Sequence, residues 1–273
     1  MMRIKVMTYN LLYGFHERTD NTLLYREERA HAAQVVVRAA APDIIALTEA
    51  AYCGAAGRLV RHDFATMFGL EHVAAAGFEG EWANALVSRF PIVHIERLPL
   101  GRSPSGIQPS ALRATLDCQG REIHVDIAHP SPHVSEVERV DALAPLLASM
   151  RTPSILLGDF NALSDEDEYT SEALIAQMQQ YVADPAPIAA QMLDRKLVAS
   201  VRARGLVDTL APERRSHTIP TRLDRPHATQ GAQIRIDYIF VSSEFRVLDA
   251  EIIKRPPTDE VSDHYPVVAT LEL

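Results

Sequence analysis

Ser154-Ile-Leu-Leu-Gly-Asp-Phe-Asn-Ala162 runs from aliphatic residues straight into Asp159 and Asn161, with Gly158 at the junction. A short apolar run bounded by glycine reads as a buried strand. No spacer separates it from two side chains that want water or a metal, so Asp159 and Asn161 are expected at the end of a buried sheet. Gly158 permits close backbone approach there.

The same arrangement recurs outward along the chain. Residues 3–9 alternate as a strand and lead to Asn10 in Met7-Thr-Tyr-Asn10; Glu49 ends Ile44-Ile-Ala-Leu-Thr-Glu49; and His129 ends Ile123-His-Val-Asp-Ile-Ala-His129. Asp237 heads Arg235-Ile-Asp-Tyr-Ile-Phe-Val241, and Asp263 and His264 precede Tyr265-Pro-Val-Val-Ala-Thr-Leu271. A single polar residue after a strand is usually a turn former. Repeated cases that gather carboxylate, carboxamide and imidazole point to a shared site.

Further strands are predicted at 83–88, 92–98, 112–117, 122–128, 154–157, 236–242, 246–253 and 266–272. A helix over 26–40 carries Ala30, Ala33, Val36, Val37 and Ala40 on one stripe and is closed by Pro42; others fall at 135–150 and within 169–204. Strands follow one another from 83 to 128 without helices between, which argues against a doubly wound parallel sheet and for mixed sheets with helices outside. Residues 214–233 are polar and aperiodic, as a functional loop would be. That loop and the helical insert 164–204 are expected to shape substrate choice.

The 273 residues, 47% hydrophobic and 23% charged, suit one globular domain spanning 1–273. Cys53 and Cys118 match neither a CxxC pair nor a disulfide framework and read as small core residues. The opening residues go directly into a strand and no apolar run nears 18 residues, so a soluble, unexported, cytoplasmic protein without stable membrane insertion is expected. With 36 acidic against 27 basic residues and a net charge of −9, nonspecific grip on a phosphate backbone is disfavoured.

The strand-end residues suit metal-assisted phosphoester hydrolysis. Hard oxygen donors such as Glu49 and Asp263 favour Mg²⁺ or Mn²⁺, which need few protein carboxylates. Such a metal neutralises phosphate charge and stabilises the departing oxygen. The attacking water needs a positioned carboxylate, and Asp159 supplies one that is ionised at neutral pH. Imidazoles and an Arg can absorb charge developing on the phosphoryl oxygens.

Leu157-Gly-Asp-Phe-Asn161, Arg235-Ile-Asp-Tyr-Ile239 and Ser262-Asp-His264, in that order, resemble the motifs of the endonuclease/exonuclease/phosphatase superfamily, and the resemblance extends from Met7-Thr-Tyr-Asn10 to Ser262-Asp-His-Tyr-Pro266. It implies an α/β (α+β) four-layer sandwich: two face-to-face mixed β-sheets flanked by helices. It also implies Glu49 as principal metal ligand, with Asn10 and Asp263 nearby. By the same resemblance Asp159 orients or deprotonates the water, and Asn161 binds phosphate and holds that carboxylate. His264 contacts the phosphate and is polarised by Asp237, His129 is the second histidine, and Arg113 points at the scissile phosphate. The chain departs from the pattern at Thr48, where many members have Gln, and at Leu12, where the nuclease branch often has Asp. His133, in His129-Pro-Ser-Pro-His133, competes with His129.

Asp165-Glu-Asp-Glu168 reads as the first turn of a helix, where negative charge suits the dipole. An EF-hand after Asp159 fails at Leu163 and Ser164, and a His129/His133 zinc pair fails because prolines break the helix it needs. Three functions remain open: hydrolysis of a soluble or lipid-derived phosphoester, which is favoured; nuclease or DNA-repair phosphodiesterase activity; and binding without catalysis.

Overall fold

A computed structural model describes residues 1–19, 22–55, 58–223 and 230–273. Its first half comprises β1 (Arg3–Asn10), the short turn α1 (Leu12–Phe15), β2 (His16–Thr19), β3 (Thr22–Tyr25), α2 (Glu27–Ala40), β4 (Ile44–Cys53), β5 (Leu59–Val60), α3 (Phe64–Phe68), β6 (His72–Ala76) and β7 (Trp82–Ser88). Then come β8 (Ile92–Pro99), β9 (Ser110–Asp117), β10 (Glu122–Ala128), α4 (Glu136–Ala148) and β11 (Ser154–Asp159). The last part holds α5 (Ser171–Met178), α6 (Ala186–Met192), α7 (Lys196–Arg202), β12 (Val207–Asp208), β13 (Asp237–Val241), β14 (Arg246–Ile252) and β15 (Val267–Glu272).

The strands form two large mixed sheets. One runs β14-β15-β1-β4-β7-β6, with β5 on β4; the other runs β12-β13-β11-β10-β9-β8. β1 and β4 are parallel, as are β10 and β11, and the remaining neighbours are antiparallel. The sheets face each other across Ile4, Val6, Ile44 and Ala46 on one side and Leu112, Leu116, Val125, Ile155, Leu157 and Ile239 on the other. The alternate residues point outward: Met7, Tyr9, Ile45 and Leu47 pack under α2, while Leu156, Tyr238 and Phe240 pack under α4 and α7. The four-layer sandwich is thus in place.

Side-chain parity decides what reaches the space between the sheets. Asn10 continues Ile4 and Val6, Asp159 continues Ile155 and Leu157, His129 continues Val125 and Ile127, and Asp237 precedes Ile239 and Val241. Arg113 lies between the inward Leu112 and Ala114 and therefore faces out. Glu49 has the outward parity of Ile45 and Leu47, yet it sits inside β4, not at its end. The β4–β7 register shifts between Leu47 and Ala51, and Glu49 has φ +50°, so a bulge redirects it inward.

Gly158 adopts φ +141°, and a Cβ there would lie 2.1 Å from Ala128 O on β10. Gly158→Ala is expected to cost about 1–3 kcal/mol from backbone conformation alone, with the clash added. Urea unfolding should show a lowered midpoint; an unshifted one would reject this account.

The acidic run 165–168 does not open a helix, because α5 starts later, at Ser171 with Thr170 as its cap. Asp165 and Glu166 pair with Arg202, Glu166 also pairs with Arg215, and buried Asp167 holds Arg235 Nη2 at 2.8 Å. Opposite charges from distant elements thus override the local dipole preference. Residues 224–229 of the expected loop lie outside the described residues; before them Ile219 bridges Ile234. No helix among the described residues is long and apolar enough to cross a membrane.

Candidate active site

The strand ends converge at one edge of the space between the sheets. Asn10 is 1% exposed and its Nδ2 donates to Glu49 Oε1 at 3.2 Å and to Asp159 Oδ2 at 3.1 Å, joining the two sheets through one carboxamide. Its Oδ1 accepts from Leu12 N at 2.9 Å. Glu49 Oε2 accepts from Tyr13 N at 3.0 Å. Tyr13 and Leu12 are in left-handed conformations, φ +55° and +46°, so the turn after β1 is bent to deliver that N–H.

Asp159 and Asp237 stand opposite each other on β11 and β13. Two buried carboxylates side by side repel. His264 offsets this: its Nδ1 lies 2.8 Å from Asp237 Oδ2, and its Nε2 lies 3.7 Å from Asp159 Oδ2. Burial opposes charging of His264, but Asp237, Asp263 and Asp159 outweigh it and hold its pKa well above the usual imidazole range. His129 Nε2 approaches Asp159 Oδ2 at 3.5 Å and Glu49 Oε1 at 4.0 Å. Burial is the main cause that raises the Asp159 pKa; Asp237 adds to it, and His264 and His129 oppose it. Asp263 is also raised, by burial first, with Glu49 adding and His264 opposing.

Asn161 accompanies Asp159 through two bonds. Its N–H donates to Asp159 Oδ1 at 2.9 Å and its Nδ2 to Pro130 O at 3.0 Å, with φ +49° turning the chain back after β11. His133 is exposed and its N–H bonds Ser131 Oγ, so His129 is the histidine brought into the group.

Arg113 is not brought there, which corrects the expectation. Its Nε bonds Asp126 Oδ1 at 2.7 Å, and its other nitrogens bond Ser149 Oγ and Leu146 O beneath α4. Outward parity on β9 puts the sheet between it and the site.

Thr218 escaped sequence reading. Its Oγ1 accepts from Ile236 N at 3.1 Å and Asp237 N at 3.3 Å, and its carbonyl accepts from Tyr265 N. It thereby ties the Asp237 and His264 segments together. A threonine in an aperiodic polar stretch carries no periodic signal that would single it out.

The donor set fits a divalent cation. Two donor sets are available: Glu49 with Asn10 and Asp263, where Glu49 is near enough to help raise the Asp263 pKa, and Asp159, Asp237 and His264, whose ligand atoms lie within 4.8 Å of one another and where Asp237 Oδ1 is buried without a hydrogen-bond partner among the described residues. Four carboxylates, of Glu49, Asp159, Asp237 and Asp263, face only two imidazoles, so negative charge is in excess. Hard oxygen donors with surplus charge suit a hard divalent cation.

The sequence matches the family described as "Endonuclease/Exonuclease/phosphatase family" over residues 7–264. Among solved structures, an AP endonuclease from Archaeoglobus fulgidus superposes with TM-score 0.69 at 17% identity, covering 99% of this chain and 100% of that one. An endonuclease/exonuclease/phosphatase from Bacteroides vulgatus gives 0.67 at 16% identity, covering all of both chains. D. rerio TDP2 complexed with single strand DNA product gives 0.64 at 13% identity, covering 99% of each chain. These likenesses concern the fold. No curated protein matches the sequence significantly.

Proposed function

Because the chain belongs to the endonuclease/exonuclease/phosphatase family, we propose that it is a divalent-metal-dependent phosphoester hydrolase in which Asp159 directs a water at phosphorus. The observation that carries this reading is the meeting of Asn10, Glu49, His129, Asp159, Asn161, Asp237 and His264 at one edge of the sandwich. Glu49, with Asn10 and Asp263, holds Mg²⁺ or Mn²⁺. The cation, when bound, neutralises phosphate charge and stabilises the leaving oxygen. Asp159 orients the water and takes its proton, and Asn161 fixes that carboxylate and faces the phosphate. The Asp237–His264 pair presents a positive imidazole edge to the phosphoryl oxygens, and His129 lies beside it.

Asp159, Asp237 and His264 offer a second ligand set. We place the metal at Glu49 because Asp237 is engaged with His264 and a charged imidazole repels a cation. Mg²⁺ or Mn²⁺ at a hundred times its Kd should stabilise the protein by about 2.7 kcal/mol. That rise in Tm should vanish in Glu49→Gln and persist in Asp237→Asn. The reverse pattern moves the metal to the other set.

The favoured substrate is a small or lipid-derived phosphoester, with nucleic acid as the alternative. The net charge of −9 and the diversion of Arg113 to Asp126 both reduce the pull on a polyanion. Hydrolysis of a chromogenic phosphodiester and the matching monoester, with Mg²⁺, Mn²⁺ or excess chelator and beside plasmid nicking, tests the reading. Chelator-sensitive cleavage without nicking supports it; efficient nicking favours the nuclease; no cleavage in any condition counts against hydrolysis of simple esters.

A further inference from the structure

Arg29 stands in the first turn of α2 and is buried, 6% exposed. Its guanidinium donates from Nε to Val261 O at 2.7 Å, from Nη1 to His16 O at 3.0 Å, and from Nη2 to Leu11 O at 2.8 Å and Leu12 O at 3.1 Å. These carbonyls belong to two separate segments. Leu11 and Leu12 follow Asn10 directly, in the turn whose Tyr13 N–H holds Glu49; Val261 precedes Ser262, Asp263 and His264. One side chain therefore joins the backbone beside Glu49 to the backbone beside Asp263.

The first of those segments does not keep its shape by local preference. Leu12, Tyr13 and Phe15 have φ of +46°, +55° and +67°, a conformation rarely adopted by non-glycine residues and kept only where surroundings enforce it. Arg29 supplies that enforcement through a rigid planar fork, which spans several acceptors as a flexible ammonium cannot. Burial lowers its pKa, and Asp263 leads the charges that oppose this, with Glu49 among them, so the guanidinium also sits within the field of both carboxylates.

We infer that Arg29 is a positioning residue that sets the spacing between the Asn10–Glu49 side and the Asp263–His264 side, and thereby controls divalent-metal affinity. This rests on the metal-dependent reading above. Without the fork, the turn carrying Tyr13 N–H relaxes, Glu49 loses its fixed rotamer, and Asp263 drifts from it. A helix-packing role alone would lower stability and leave the affinity of the folded protein unchanged.

The test uses Arg29→Lys, which keeps the charge and loses the fork, and Arg29→Gln as a second variant. Val36→Ala is the control: Val36 is buried on the same helix against the sheet and contacts none of these carbonyls by hydrogen bond. Mg²⁺ and Mn²⁺ affinities are read from metal-induced Tm shifts and by titration calorimetry on each folded variant. Loss of a group that orients a metal ligand typically costs about 10–100-fold in affinity. We expect at least about tenfold weakening in the Arg29 variants and an unchanged Kd in Val36→Ala. Wild-type affinity in whichever Arg29 variant folds, or equal weakening in Val36→Ala, overturns the clamp while leaving the metal reading intact. A wild-type protein that binds neither ion overturns both.

Discussion

Asp159→Asn is expected to lower kcat by at least about 10²-fold while leaving metal affinity nearly unchanged. Asn preserves the shape of the side chain but has a single acceptor oxygen, so it keeps only one of the two bonds that Asn10 and Asn161 give the carboxylate oxygens at 3.1 and 2.9 Å. It cannot take a proton from water. Metal affinity is spared because Glu49 is the principal ligand in the proposed arrangement. The free protein provides an independent sign that the variant is folded. Burial raises the Asp159 pKa above its unfolded value, so the stability linked to its proton is complete below the unfolded pKa. It is lost as pH rises through the folded one. The neutral amide removes the cost of burying that charge, which offsets the one hydrogen bond it loses, so the Tm of the metal-free variant should stay close to wild type. Slower turnover with a Tm close to wild type is the expected combination; full kcat at saturating metal would remove Asp159 from the role of base.

The placement of that carboxylate was legible in the sequence because strand period and site position coincide. Asp159, His129, Asp237 and Asn10 all fall on the inward parity of their strands, so the apolar pattern that predicts the core also predicts where the polar residue after it will point. The same rule was available for Arg113. Its neighbours Leu112 and Ala114 are the inward pair, and parity alone sends it to the outer face, whatever family motif it resembles. Glu49 is the reverse case. Parity would bury it under α2, and only the bulge in β4, with φ +50°, brings it to Asn10. Nothing in Thr48-Glu-Ala-Ala announces a left-handed residue, so the sequence predicts a strand end at Glu49, whereas β4 continues through the bulge to Cys53.

Elements that escaped reading share another cause. β3 carries exposed Leu23, Leu24 and Tyr25, so it lacks the half-buried alternation that marks a strand. The acidic run 165–168 has the local preference of a helix start, yet Arg202 at the far end of the insert and Arg215 and Arg235 beyond it claim it. Arg29 and Thr218 act through backbone carbonyls and amides, which have no residue identity to search for. The chemistry-bearing side chains were therefore visible, whereas the bonds that aim them were not.

His264→Ala is expected to lower kcat by about 10²–10³-fold, the range for removing one donor aimed at charge that develops in the transition state. The donor must be charged to do this. Asp237, Asp263 and Asp159 keep the imidazole protonated against the effect of burial, with Asp237 the strongest of the three and bonded to Nδ1 at 2.8 Å. That bond leaves Nε2 as the edge presented to substrate, on the side of Asp159. Asp237→Asn removes the largest of the raising charges and leaves a group of the same shape, so the imidazole should lose its proton at lower pH. Two readouts then separate orientation from charge. In Asp237→Asn the alkaline limb of kcat should move to lower pH, with the rate recovering toward wild type as pH falls through that limb. In His264→Ala the rate should be low throughout and the limb assigned to the imidazole should be gone. A uniform loss in Asp237→Asn with an unmoved limb would mean that Asp237 only orients the ring. An unchanged kcat in His264→Ala would remove the imidazole from transition-state stabilisation and leave His129 as the histidine of the site.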